Sequence, residues 1–274
     1  MKQNIIDTAI GRAAIKTRDR LEIVKAAAFK EESAGTIAND WIATFLLTKL
    51  CLPNRTFIDI GAHIGSIISE VSHIDSSIKI IAVEAMPDKA INLRKKFPSV
   101  ELHECAVGEN NEGEIPFYVN TKQSGYSSLG RPSEGNESET IEIKVLIKRL
   151  DSLVSYDDID VIKIDVEGAE LGVLRGSKSI LANNRPVIMF ESAPSQGDGL
   201  GYTKDDMWDY LSGHSYEVYV PNRIAHNGPG LSKEGFSESH VYPRRTTNYF
   251  AVPIERRLEI RDRARNMLGI KLSG

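Results

Sequence analysis

The sequence predicts an α/β fold: a doubly wound, mostly parallel sheet of seven strands with an N-terminal helical extension. Three observations predict it. Short apolar runs alternate with helical stretches from residue 56 onward, the pattern of strands laid side by side through crossover helices. The first run ends in Asp59-Ile60-Gly61-Ala62-His63-Ile64-Gly65, a glycine turn feeding a helix at the carboxyl end of a parallel strand. Two late strand-like runs, 216–220 and 248–252, can close the sheet as a hairpin after its fifth strand.

The elements follow in order. Residues 1–50 are helix-like: Ile15, Leu21, Ile23, Val24 and Ala27 mark one amphipathic stretch, and Trp41, Ile42, Phe45, Leu46 and Leu50 a second. Ser33-Ala34-Gly35 is the expected break between them, and Pro53-Asn54 ends the helical part. Strands are expected at 56–60, 79–84, 100–107, 161–166 and 186–191, with helices at 87–97 and 171–181. Residues 115–119 and 141–147 resemble an inserted antiparallel pair around the polar segment 120–140. A helix is expected over 203–212, and a long loop over 222–245, which is rich in Gly, Ser, Pro and His. The division is therefore an extension over 1–52, a ligand-binding domain over 53–254 and a C-terminal amphipathic helix over 255–274.

Composition narrows the function. With 41% hydrophobic and 26% charged residues in 274, the chain has the make-up of a globular protein. A net charge of −4 gives no reason to expect a nucleic-acid partner. Two cysteines, Cys51 and Cys105, form neither a disulfide framework nor a metal motif and suit a reducing cytoplasm, the expected location. No stretch reaches the roughly 18–20 apolar residues of a membrane span. Arg256, Arg257, Arg261, Arg263 and Arg265 interleave with Leu258, Ile260, Ala264, Met267 and Leu268; their simplest reading is a solvated face on a docked helix, with an anionic membrane surface as a minor alternative.

The glycine turn carries the chemistry. Gly61 allows a tight turn and close approach to a ligand, Ala62 follows it, and Gly65 lets the next helix pack against the turn. The spacing G-x-x-x-G is not the dinucleotide fingerprint, and the Lys-Ser/Thr pair of a phosphate loop is missing. A turn with Asp59 and no phosphate-binding feature suits a cationic, phosphate-free nucleoside, of which S-adenosylmethionine is one. A turn that binds nothing is the bland alternative.

Glu84 ends the second strand 23 positions after Gly61, where an acid accepts hydrogen bonds from both ribose hydroxyls. Ala106 and Val107, at the third strand end, can flank an adenine; Cys105 beside them reads as a small buried residue. Asp165, Glu167 and Glu170 form a second cluster, and three carboxylates within six residues are costly unless they bind something or stay hydrated. They can orient a hydroxyl, act as general base or hold a divalent cation. Glu170 also suits the first turn of a helix, so Asp165 and Glu167 are the functional candidates. Glu191 ends the fifth strand, either touching an acceptor or simply solvated. His63 is a reserve base or a cover for the pocket. Ser127 and Ser128 can hydrogen-bond cofactor or acceptor, or form a surface turn. The later histidines have no zinc spacing, and no metal is assigned.

Together, F-I-D-I-G-A-H-I-G, V-E-A-M-P, E-C-A-V-G and L-D-S-L…I-D-V-I-K-I-D-V-E-G-A-E…V-L-R-G resemble the FkbM family of S-adenosylmethionine-dependent methyltransferases, over about Thr56 to Glu191. The resemblance implies a Rossmann-like methyltransferase sheet with S-adenosylmethionine as cofactor. By position, Asp59, Gly61 and Gly65 would form the methionine-side turn, Glu84 would hold the ribose, Ala106 would lie by the adenine, and Asp165 and Glu167 would line the acceptor side. Ala85 and Met86 separate Glu84 from Pro87, where the family usually places proline directly after the acid; the ribose contact is left intact and the loop geometry departs from the family's. The implied reaction is O-methylation of a hydroxyl on a sugar, glycolipid or polyketide-like compound. The expected partner is a small-molecule or glycan acceptor. A non-catalytic S-adenosylmethionine-binding domain and a nicotinamide-dependent oxidoreductase are the competing readings; the missing G-x-G-x-x-G argues against the latter.

Overall fold

The structure is a computed structural model that describes residues 17, 21, 23–122, 125, 127–130, 140–155, 157–193 and 200–270. Among the described residues ten strands form two sheets. The larger has seven, in the order Glu101–Glu104, Lys79–Glu84, Thr56–Ile60, Ile159–Ile164, Val187–Glu191, Asn248–Pro253 and Tyr216–Tyr219, and the smaller has three, in the order Ala106–Val107, Thr140–Lys148 and Gly113–Asn120. In the large sheet β1 (Thr56–Ile60), β2 (Lys79–Glu84), β3 (Glu101–Glu104), β7 (Ile159–Ile164) and β8 (Val187–Glu191) run parallel. The hairpin partners β9 (Tyr216–Tyr219) and β10 (Asn248–Pro253) close it, with β10 antiparallel to both β8 and β9. The predicted doubly wound seven-stranded sheet is thus the fold of the chain.

Strand alternation explains the two layers of core. Ile58, Ile60, Val83, Ile162, Ile164 and Phe190 pack on one face under helices Glu170–Arg175, Lys178–Asn183 and Lys204–Gly213. Their neighbours Phe57, Ala82, Val161 and Met189 point the other way, under helices Glu31–Leu50, Ser66–Ile74 and Arg257–Leu268. Both faces are covered, so β1 and β7 are buried throughout, as parallel strands require.

Several elements differ from expectation. The run 100–107 is one strand by pattern, but the chain bends at Cys105. Glu101–Glu104 stays in the large sheet, while β4 (Ala106–Val107) pairs with β6 (Thr140–Lys148), the partner of β5 (Gly113–Asn120). The helix expected over 171–181 is two short ones separated at Gly176, which lies against the Gly108 carbonyl. The segment 222–245 holds a helix, Lys233–Ser239, capped by the Ser232 hydroxyl accepting from the Gly235 amide at 3.1 Å. The helical break falls at Lys30; Glu31–Leu50 runs unbroken through Ser33-Ala34-Gly35.

The arginines near the C-terminus are not a solvated face. Asp160, buried at the start of β7, accepts from Arg256 at 2.5 Å, Arg263 at 3.0 Å and the Leu52 amide at 2.9 Å. Arg263 also donates to the Leu50 carbonyl, Arg257 to Ile224 and Arg265 to Ala225. Helix Arg257–Leu268 and the end of helix Glu31–Leu50 are thereby stitched to the amino edge of the sheet. The middle of Glu31–Leu50 lies by the start of β10, where Asp40 accepts from Thr246, Thr247 and Asn248. Among the described residues no helix is long and apolar enough to cross a membrane.

Candidate active site

The carboxyl ends of β1, β2 and β7 meet at one edge, because Ile60 is in register with both Val83 and Ile164. The glycine turn is pinned there by its amides: Gly61 and Ala62 donate to the Val83 carbonyl at 3.0 and 3.1 Å. The His63 amide donates to Glu84 at 2.7 Å, and the Met86 amide to the other Glu84 oxygen at 2.9 Å. Glu84 therefore holds the turn and the start of the next helix in place with one lone pair from each oxygen. Gly61 has φ 78°, and a Cβ there would stand 1.8 Å from the Asp165 carbonyl oxygen, so only glycine lets β1 and β7 leave the sheet this close together.

These ends open into a cleft of about 810 Å³, counted out to solvent. Gly61, His63 and Glu84 line it together with Asp165, Glu167 and Ala169. Ala106, Val107, Phe117 and Leu129 make an apolar end where the small sheet adjoins the large one, with Ser127 at its edge. Other expected residues lie behind the walls. Asp59 is 1% exposed and faces Lys163, not the cleft. Ala62 is buried in the core layer under helix Ser66–Ile74, and a Cβ on Gly65 would strike the Phe97 ring at 2.4 Å, so Gly65 serves helix packing. The Ser127 hydroxyl accepts from the Asn120 amide, and the Ser128 hydroxyl bonds to the Gly130 backbone; Ser128 is not a cleft residue. Both shape the turn that covers the apolar end.

One residue of the site escaped the sequence reading. Lys163 is buried, and its ammonium lies 3.1 Å from Asp59, 3.2 Å from Asp165 and 3.1 Å from the Gly61 carbonyl. Its register partner across β1–β7 is Asp59, and it shares a strand face with Asp165 two residues on. Burial opposes the charge on Lys163, but Asp165 and Asp59 outweigh it and hold the ammonium above its ordinary range. Burial likewise works to raise Asp165, yet Lys163 and a hydrogen bond from Glu191 keep its carboxyl below 3.8.

Glu167 sits at φ 53°, a conformation side chains rarely take, next to Gly168 at φ 104°. Glu170 sustains it by accepting from the Val166 and Gly168 amides, both at 3.1 Å, and the Tyr202 hydroxyl donates to the Gly168 carbonyl. Glu170 is thus the organiser of the loop that presents Glu167. Asp165, Glu167 and Glu191 each bring an oxygen within 4.8 Å of the others. Burial, then Asp165, push Glu191 up to about 9 and Glu167 to about 8; burial raises Glu170 to about 7. His63 is kept below 6.5 by burial and is neutral at pH 7.

These raised values have a thermodynamic consequence. The folded chain keeps protons that the unfolded chain, with carboxyls near 4.5, has released. Stability therefore falls as pH rises through the window from about 4.5 to about 9. The ligand-free protein is expected to melt at a lower temperature at pH 9 than at pH 6 by scanning calorimetry; an equal or higher Tm at pH 9 contradicts the assignment.

The residues present fit S-adenosylmethionine. An apolar slot, a carboxylate with free lone pairs and an acidic wall follow one another along the cleft, matching a base, a ribose diol and a sulfonium. Neither lysine nor arginine is among its described lining residues, so nothing there greets a phosphate. This fold and cleft define an S-adenosylmethionine-dependent methyltransferase. The chain belongs to the methyltransferase FkbM domain family, whose sequence model matches residues 59–218. It is 25% identical over 169 residues to "Methyltransferase 1" of Beauveria bassiana (strain ARSEF 2860), covering 53% of this chain and 68% of that protein. Among solved structures, methyltransferase FkbM from Methylobacillus flagellatus KT is 18% identical with a TM-score of 0.44, covering 72% of this chain and 43% of that one. This chain thus spans less than half of that relative. A TehB-like SAM-dependent methyltransferase from Corynebacterium glutamicum ATCC 13032 Kitasato is 11% identical with a TM-score of 0.38, covering 88% and 97%.

Proposed function

We propose that the protein methylates a hydroxyl oxygen of a small-molecule or glycan acceptor (a sugar, glycolipid or polyketide-like compound) in the cytoplasm. The observation that carries this reading is the acidic pair beside the glycine turn, with Asp165 and Glu167 both lining the cleft. Gly61 borders the methionine side, Glu84 takes the ribose and Ala106 flanks the adenine, with Asp59, Ala62 and Gly65 supporting the turn from behind. The cofactor supplies a methyl group already activated on a sulfonium. The protein's task is then to align the acceptor oxygen and receive its proton, and alignment alone is worth about 7–11 kcal/mol.

With the cofactor bound to supply the methyl group, Glu167 would receive the proton that the acceptor hydroxyl gives up. Glu167 is favoured over Asp165 because a useful base has a pKa near the working pH. Glu167 lies near 8, whereas Asp165 is held low by Lys163 and Glu191. His63, neutral and also lining the cleft, is the second group able to take a proton. Glu191 lies outside the cleft lining but brings an oxygen within 4.8 Å of Asp165 and Glu167, and would meet the acceptor from that side; Ser127 stands at the apolar end instead, with Ser128 fixing its turn.

The test is a screen of hydroxylated sugars, glycolipids and polyketide-like compounds with labelled S-adenosylmethionine, followed by Glu167→Gln on any acceptor found. That variant is expected to lose roughly 10²- to 10⁴-fold in turnover while keeping its affinity for S-adenosylhomocysteine. In the parent enzyme kcat/KM should rise with pH toward a plateau above about 8, because the ionised Glu167 is the active form. Unchanged turnover in Glu167→Gln removes Glu167 from the role. Methyl transfer to nitrogen or carbon alone removes the hydroxyl.

A further inference from the structure

Helix Glu31–Leu50 outruns the sheet it covers: its 20 residues span about 30 Å, against about 17 Å for a strand of five such as β1. Its buried residues all fall from Asn39 onward, namely Asn39, Ala43, Leu46, Leu47, Thr48 and Leu50. Asp40 marks where the sheet ends, since it accepts from Asn248, the register partner of Glu191 at the carboxyl end of β8. From there the helix runs down to the amino edge, so its first turns project past the edge at which the cleft opens. Residues 23–29, also helical, lead into this overhang across the break at Lys30. Loop 241–245 lies alongside: the Thr36 hydroxyl donates to the Arg244 carbonyl, and the Asn39 side-chain amide to the Arg245 carbonyl at 2.9 Å.

What the overhang shows to solvent is apolar and basic. Leu21, Val24, Ala28 and Phe29 are exposed, Phe29 over 85% of its surface, and so are Lys25 and Lys30. Positions 21, 24, 25, 28 and 29 follow the i, i+3, i+4, i+7, i+8 spacing of one helix face. A helix normally buries such a stripe, yet here the buried residue is Ala26, which lies off that face. Val241 and Tyr242, the latter 71% exposed, continue the apolar patch on the neighbouring loop, and Arg244 and Arg245 continue the basic one. Glu31 and Glu32 occupy the first turn of the long helix, where an acid answers the helix dipole, and Glu238 lies 3.6 Å from Arg245. Residues 1–30 carry seven lysines and arginines against three acids, a net charge of +4 in a chain whose total is −4.

We infer that this face docks on an anionic lipid surface, with Val24, Phe29 and Tyr242 set into the headgroup boundary and the lysines at the level of the phosphates. A nucleic acid would pair with the cations but leave the apolar stripe in water. A second copy would bury the stripe but bring two segments of charge +4 together. A bilayer with acidic headgroups answers both features at once. The arginines of helix Arg257–Leu268 take no part, because Asp160 and the carbonyls of Ile224 and Ala225 already hold Arg263, Arg257 and Arg265. Docking through the overhang turns the carboxyl edge of the sheet, and the cleft with it, toward the membrane.

The experiment is co-sedimentation of the full chain with vesicles of phosphatidylcholine containing about 30% phosphatidylserine, and with vesicles of phosphatidylcholine alone. Binding to the first is expected, and it should fall as salt rises from about 0.1 to about 0.5 M and screens the charges. Val24→Ser with Phe29→Ser should weaken it about tenfold or more. Lys25→Gln and Lys30→Gln should weaken it about fivefold each. All four side chains are exposed, so these variants should keep the parent's affinity for S-adenosylhomocysteine, read by calorimetry on the same samples. No binding to either vesicle, equal binding to both, or binding untouched by Val24→Ser with Phe29→Ser overturns the inference. A dimer in light scattering that the same double variant dissolves assigns the stripe to a second copy and overturns it too. Failure of the parent to bind S-adenosylhomocysteine removes the assignment of the cleft alone, and the vesicles still decide the docking.

Discussion

Gly61→Ala is expected to abolish binding of S-adenosylhomocysteine and to destabilise the fold by about 2–4 kcal/mol, the sum of overpacking and a left-handed backbone angle. The added methyl meets the Asp165 backbone carbonyl at 1.8 Å, and backbone cannot swing aside as a side-chain end can. Relief requires parting β1 from β7 at the point where the Asp165 amide donates to the Ile60 carbonyl and Lys163 ties the Gly61 carbonyl to Asp165. Both walls of the cleft then move. Gly113→Ala is the natural control, for its φ is 82° but nothing lies within 4 Å of the added methyl. It should cost about 1 kcal/mol from the backbone angle alone and leave ligand binding intact. Urea unfolding and calorimetry on both variants separate clash from strain, and equal behaviour of the two would refute the role of the close approach.

Asp160→Ala should be of similar size with the opposite functional signature. Asp160 is 4% exposed and answers two arginines and one amide, so its removal strands the Leu52 amide and leaves Arg256 and Arg263 with the more exposed Glu259 as their remaining carboxylate. Breaking a buried pair in this way costs about 3–5 kcal/mol. The site lies at the start of β7, across the sheet from the cleft, so affinity for S-adenosylhomocysteine in the folded fraction should be unchanged. A loss below about 1 kcal/mol would mean that water replaces the carboxylate readily.

How far the sequence reveals this depends on the range of the interactions. The strands, the glycine turn and Glu84 are legible because each depends on residues near it in the chain: apolar runs for burial, glycines for a turn, an acid at a strand end. Lys163 was not legible. In V-I-K-I-D it reads as an ordinary polar position, and only the pairing with Asp59 across β1–β7 shows that it is enclosed by acids. Its spacing from Asp165, two residues along one strand face, was the available signal. The arginines after 255 misled for the same reason. Their acceptors are Asp160 and the carbonyls of Leu50, Ile224 and Ala225, remote in sequence and invisible to helical periodicity. Helix Lys233–Ser239 was missed because K-E-G-F-S-E-S is rich in residues that favour loops; its cap and the burial of Phe236 outweigh propensity. The split of 100–107 between two sheets was also hidden, since β6, which draws Ala106–Val107 away, comes more than thirty residues later.

Strand β10 changes what counts as the unit of this protein. The family likeness ends at residue 218, inside β9, but β9 is attached to the sheet only through β10, which lies thirty residues further on. The likeness also begins after Leu46, Leu47 and Leu50, which share a core with Phe57 and Val161, and stops short of Ile260 and Ala264 on the same side. A fragment trimmed to 59–218 would keep the glycine turn, Glu84, Lys163 and Glu191 in its sequence while losing helices Glu31–Leu50 and Arg257–Leu268 from one side of the sheet. The stretch that evolution holds recognisable and the stretch that must be made for the polypeptide to hold together therefore have different ends.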